Sequence, residues 1–179
     1  MRSQHRIIYQ GLEKGRFWQY NWGMSLSSTT PTSPVQAPQF YRIMRRDPGD
    51  DLPVTGTTSS SELGVRPGLD VDLDANGEVV LNSKGMSVAP AWRDIDFTRI
   101  PKRLRPFVPG ATGSNSNYCF TMGRGPFQRD PVANGLELIP DQGQPPIKHG
   151  NVAPSQSASL AQYQAVLGST RSLWKIDET

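Results

Sequence analysis

Phe40-Tyr41-Arg42-Ile43-Met44 is the stretch on which the reading of this chain turns. Pro38 bounds it on one side and Asp47-Pro48-Gly49-Asp50 on the other. Aromatic and β-branched residues between turn formers spell a strand. An arginine at the centre of a strand is out of keeping with a core position, because burying an unpaired charge is costly. Arg42 therefore calls for an anion. A salt bridge or an edge position answers that need from within the protein, and a ligand phosphate answers it from outside.

Before this strand, the stretch from Ser25 to Pro38 is low in charge and rich in Ser, Thr and Pro, the composition of an extended linker. Ahead of the linker, residues 1–23 carry Phe17, Trp18, Tyr20 and Trp22, a content expected to dock rather than float. The chain thus divides into an N-terminal extension with linker, 1–37, and a main domain, 38–179. The opening Met1 to Arg6 is basic, but only Ile7-Ile8-Tyr9 follows, too short for the apolar core of a signal peptide. No apolar run approaches the roughly 20 residues that span a bilayer. The expectation is a cytoplasmic protein with no membrane partner, or one delivered without a cleaved signal.

The 179 residues include 17 Gly and 16 Pro, with 35% apolar and 20% charged side chains. That composition excludes long helices and coiled coils but falls short of disorder. Four Trp, five Tyr and six Phe suffice for a core. The class expected is a loop-rich α+β domain. Cys119 is the single cysteine, so an internal disulfide is excluded, and its setting between Tyr118 and Phe120 marks a packing thiol. Net charge is +3. Basic and acidic residues come in alternating blocks, with 50–82 and 130–179 acidic and the segments around them basic. Segments of opposite sign are expected to meet across the fold. Arg99, Lys102, Arg103 and Arg105 form a basic group that suits either a solvated face or a phosphate, without the sustained stripe of a dedicated nucleic-acid binder.

Downstream, Leu69 to Leu81 alternates apolar and acidic residues around Asn76-Gly77, the signature of a hairpin turn. The spacing of Asp72, Asp74, Asn76 and Gly77 partly matches a calcium loop, but Ser83 stands where the closing Glu belongs. Tyr118–Met122 and Leu136–Ile139 read as strands, and His149–Pro154 as the last one. Ser159 caps a helix whose face is Leu160, Tyr163, Val166 and Leu167, with Gly168 expected to end it.

Few ready-made chemistries fit. There is no phosphate-cradling Gly-rich loop ending in Lys-Ser/Thr. Two histidines, one cysteine and no Cys-x-x-Cys speak against a transition-metal site. A Ser-His-Asp triad stays open by composition, although no Gly-x-Ser-x-Gly elbow occurs. Three constellations remain. Tyr41-Arg42 is the first. Gly85-Met86-Ser87-Val88 is the second: glycine lets a ligand approach the backbone beside the Ser87 hydroxyl, or simply makes a turn. His149-Gly-Asn-Val-Ala-Pro154 before the capped helix is the third. A histidine there is either structural or able to hydrogen-bond a ribose and move protons near neutral pH.

Taken in order, Phe40-Tyr41-Arg42, Gly85-Met86-Ser87-Val88, Ile100-Pro101-x-x-Leu104 and His149-x-x-Val152-x-Pro154 resemble the type VI secretion effector toxins with an ADP-ribosyltransferase-like fold, and their fungal relatives. The resemblance spans residues 38–170. It departs from the family pattern at Gly150, where an aromatic is usual, and in the length of the loop from Arg105 to Ile147. It implies two small packed β-sheets with few helices and long loops, and an NAD cleft between them. In that cleft Tyr41, Arg42, Gly85, Ser87 and His149 would contact the cofactor, with Arg42 on the pyrophosphate. Ser87 and His149 would serve catalysis, together with a carboxylate for which Glu137 is the candidate. The reaction implied is loss of nicotinamide through an oxocarbenium-like transition state, with capture by a macromolecular target or by water. A toxin of this kind needs an immunity partner in its producer. Two other readings remain: a non-catalytic binding or structural module of the same fold, and an RNA-phosphate-directed relative using the basic group from Arg99 to Arg105.

Overall fold

Short strands separated by turn formers leave the chain only small sheets to build, and it builds two. The computed structural model describes residues 36–179, so the readings placed on residues 1–35 lie outside the described residues. The strands are β1 (Phe40–Arg45), β2 (Met86–Val88), β3 (Asn117–Met122), β4 (Asp130–Ala133), β5 (Leu136–Pro140), β6 (Gly150–Pro154) and β7 (Lys175–Ile176). The helix α1 covers Leu160–Ser169, and 3-10 turns lie at Trp92–Asp94, Lys102–Leu104 and Arg171–Leu173. One sheet has the order β1-β3-β7 and the other β2-β6-β5-β4, with all pairs antiparallel. The α+β reading holds at this level. Among the described residues no helix is long and apolar enough to cross a membrane.

Both faces of β1 are covered, which is why it has no simple alternation of buried and exposed residues. Phe40, Arg42 and Met44 share one face, and Tyr41 and Ile43 the other, as the pleat requires. Phe40 and Met44 enter the larger core with Phe120, Met122, Leu138, Val152, Tyr163 and Trp174. Phe40 meets Trp174 edge-to-face, with ring centroids 5.4 Å apart. Such pairs add about 0.5–1.5 kcal/mol beyond area burial. Ile43 enters a second core with Trp92, Ile100, Leu104, Ala111 and Cys119. Burial pushes the Cys119 thiol well above its ordinary pKa, as suits a packing thiol.

The backbones of the two sheets join at the end of β2. Tyr41 and Ala89 exchange backbone hydrogen bonds of 2.8 and 3.0 Å, joining β1 to the end of β2. Behind β2, the Tyr163 hydroxyl accepts from Met86 N at 3.1 Å and donates to the Val152 carbonyl. This wedge fixes α1 against the second sheet. Gly85 sits where an added Cβ would meet the Val152 carbonyl at 2.5 Å, so the glycine serves the close approach of two backbones.

Several sequence expectations change. Gly168 lies inside α1, and Thr170 is the C-cap. The Ser159 cap is a full capping box with Gln162. Asn76-Gly77 does turn the chain, with Gly77 at φ 78°. Its flanks pair as a short hairpin, with the Leu73–Val79 bridge set between bonds from Asp74 N to Glu78 O at 2.8 Å and from Val80 N to Asp72 O at 3.0 Å, while Val79 N bonds Ala158 O on the other side. The acidic side chains there serve the turn: Asp74 accepts from Asn76 N and Glu78 N, and Asp72 pairs with Lys84. His149–Pro154 is not the last strand, since β7 follows and adds to β3. Trp174 in the tail packs fully, whereas Leu173 and Ile176 stay exposed.

Candidate functional site

The register of the second sheet decides which side chains meet. Ser87 pairs with Asn151, which puts His149, two residues before Asn151 and just ahead of β6, diagonally beside Ser87 on the same face. Pro140 pairs with Gly150, and Asp141 N bonds the His149 carbonyl at 3.0 Å. Asp141 is therefore the cross-strand neighbour of His149. The side chains connect as this register demands. The Ser87 Oγ and His149 Nε2 are 2.5 Å apart, and His149 Nδ1 and Asp141 Oδ2 2.8 Å apart.

Arg42 reaches the same place from β1. Its guanidinium crosses the gap between the sheets and donates to the Ser87 carbonyl at 2.6 Å. Further bonds run to the carbonyls of Ser60 at 3.0 Å and Glu62 at 3.5 Å. The Arg42 side chain is buried, its Nε has no partner, and none of its hydrogen-bond acceptors is a carboxylate. Burial first, and then the neighbouring Arg99 cation, pull its pKa down to about 10. Asp70 offsets this in part, but Arg66 already holds that carboxylate with bonds of 2.8 and 2.9 Å. The anion that the sequence called for is not supplied by an ion pair to Arg42 among the described residues.

Between the sheets lies a cavity of about 370 Å³. Arg42, Ser87 and His149 all line it, as does Tyr41. The Tyr41 hydroxyl donates to Asp177 at 3.0 Å, and burial followed by that carboxylate raises its pKa. Three groups on the wall were not singled out as site residues from sequence: Asp94, Asp96 and Lys148. Asp96 accepts from the Thr98 hydroxyl and backbone amide, which hold its carboxyl below the usual range. Lys148 faces Asp94 at 3.9 Å. Arg99 lines the cavity too and shares the Ser60 carbonyl with Arg42 at 2.9 Å.

Two expected site residues stand elsewhere. Glu137 on β5 takes a two-pronged grip from Arg129, with bonds of 3.0 and 2.9 Å, and does not line the cavity. Gly85 does not line it either. Of the basic group, Arg103 is spent on Glu178 and on the Asn115 and Asn117 carbonyls, and Arg105 on the Ala111 carbonyl. Only Arg99 among them reaches the cavity wall. No cluster of three or more His, Cys, Asp or Glu side chains among the described residues is arranged to hold a metal ion.

Comparisons of the chain with protein-family models, curated proteins and solved structures find no match. The chemistry of the site must be read from its own residues. Those residues offer a cationic floor, a hydroxyl in contact with an imidazole, and carboxylates on the rim. Such a set has the chemistry to hold an anion and to move a proton beside it.

Proposed function

We propose that the protein is an NAD-cleaving enzyme of the ADP-ribosyltransferase-like class, acting as a toxin in the cytosol of a target cell. One observation carries this reading: Arg42, buried without a carboxylate partner, lines the same cavity as Ser87 and His149. A pyrophosphate suits that wall, because its negative charge offsets the two neighbouring cations Arg42 and Arg99 at once.

When bound, NAD supplies a ribosyl carbon joined to nicotinamide, a good leaving group. The residues of this chain do the rest. Arg42 and Arg99 hold the phosphates against the floor. The Ser87 hydroxyl and the His149 ring orient the ribose through hydrogen bonds. Asp96, kept ionised by Thr98, takes the part first sought at Glu137 and faces developing positive charge with a fixed negative one. His149 Nε2 receives the proton of the attacking hydroxyl, from a target side chain or water. Type VI delivery and an immunity partner in the producing cell belong to the same proposal.

The test is inducible cytosolic expression in a bacterium, with growth and NAD content followed together. The wild type arrests growth and depletes NAD, and Ser87→Ala does neither. Arrest with unchanged NAD and no modified target, or equal arrest by Ser87→Ala, overturns the reading.

A further inference from the structure

The contact between His149 and Asp141 does something that nucleotide binding does not require. An ionised carboxylate only accepts hydrogen bonds, so the Nδ1 beside Asp141 Oδ2 carries the ring proton. In the neutral ring Nε2 then carries the lone pair, and it faces the Ser87 Oγ at 2.5 Å. A hydroxyl, an imidazole and a carboxylate joined in that order make the arrangement that activates a serine as a nucleophile. Three adjacent strands set it, through the pairings of Ser87 with Asn151 and of Pro140 with Gly150. Ser87 and His149 both face the cavity, so a substrate held there meets the hydroxyl.

We propose that Ser87 is an acyl-accepting nucleophile, that Asp141 is the positioning residue for His149, and that the cavity hydrolyses esters whose acyl part carries a negative charge. The charge preference comes from Arg42, Arg99 and Lys148 on the wall, which outnumber its two carboxylates, Asp94 and Asp96. Ser87 Oγ forms a bond to the carbonyl carbon while its proton passes to His149 Nε2. The tetrahedral adduct collapses, the ester C–O bond breaks, and Nε2 returns the proton to the departing alcohol. Water then attacks the acyl-Ser87 carbonyl, giving a proton to Nε2 that goes back to Ser87 Oγ as the carboxylic acid leaves. The cations stabilise the negative oxygen of both adducts. This activity needs no nucleotide.

The experiment treats the full chain with a fluorophosphonate probe in the absence of NAD and locates the adduct by peptide mass spectrometry. The wild type labels at Ser87, and Ser87→Ala and His149→Ala do not. Asp141→Asn keeps the melting temperature but slows labelling at least about tenfold, and Asp141→Glu recovers part of the rate. A wild type that stays unlabelled at Ser87, or an Asp141→Asn variant that labels as fast as the wild type, overturns the proposal. Substrate charge is read from kcat/KM on p-nitrophenyl hemisuccinate against p-nitrophenyl acetate. The hemisuccinate is preferred, and Lys148→Ala, a change at an exposed side chain, narrows the preference. Equal rates on the two esters overturn the charge preference. Because the probe reacts without NAD, a failed NAD reading leaves this result standing, and the reverse also holds.

Discussion

The Arg42 guanidinium donates to the Ser87 carbonyl at 2.6 Å, so the residue that supplies the cavity's buried charge also ties the first sheet to the strand that carries its hydroxyl. On the proposed reading, anion binding and the placement of Ser87 are coupled through one side chain. A charge buried without a carboxylate partner costs stability, and an anion bound beside it would offset that cost.

Replacing Arg42 by methionine separates these roles. It relieves the burial of a charge but leaves the Ser87 carbonyl without its donor. These effects oppose each other at about 1–3 kcal/mol each. Arg42→Met is expected to unfold in urea within about 2 kcal/mol of the wild type while losing at least about tenfold in affinity for pyrophosphate. A loss above about 4 kcal/mol would make Arg42 chiefly a structural strut.

Pyrophosphate itself should stabilise the fold. A ligand that binds only the native state raises stability by RT ln(1 + [L]/Kd), so the melting temperature climbs with the logarithm of its concentration. Differential scanning calorimetry checks this. In Arg42→Met the same shift should need at least about tenfold more pyrophosphate, and sodium chloride of equal ionic strength should give no such shift.

Glu62 sets an acid limit. Burial raises its pKa, but hydrogen bonds from the backbone of Thr58 and Ser59, the Thr58 hydroxyl and the charge of Arg45 outweigh it, leaving the folded value below the ordinary 4.5. A carboxyl whose pKa is depressed on folding contributes stability above its unfolded value, and that stability is lost as pH falls through the folded one. Urea unfolding from about pH 7 to about pH 3 should show this loss. Glu62→Gln starts less stable and falls less steeply.

Tyr163 holds the floor of the site from behind. Tyr163→Phe leaves the Met86 amide and the Val152 carbonyl without the hydroxyl between them, an expected cost of about 1–3 kcal/mol by chemical denaturation. No change in stability would mean that the hydroxyl is dispensable to the packing of α1 on the sheet.

The parts of this fold that were legible in the sequence are those written in local chemistry. Phe40 to Met44 is a strand because its side chains and its flanking prolines leave little else, and Ser159 announces α1. β4 escaped because it contains Pro131, a poor strand residue inside a sheet, tolerated here on an edge strand with a shifted register. β7 escaped because two residues carry no period. In the site, Arg42 was visible as a charge out of place. Asp141 was not, because its role comes from the closing pair of the β5–β6 hairpin, a fact of register rather than of composition. Glu137 drew attention as a carboxylate in a strand, yet Arg129 had already claimed it. Asp96 lies in a turn whose position over the cavity depends on the packing of Trp92 and Ile100 in the second core.

The most direct test of the nucleotide reading is a calorimetric titration of the purified chain with ADP-ribose. Saturable binding by the wild type, weakened at least about tenfold in Arg42→Met and insensitive to Glu137→Gln, is the result expected. Heat no greater than that of dilution, or equal affinity in the wild type and Arg42→Met, would contradict it.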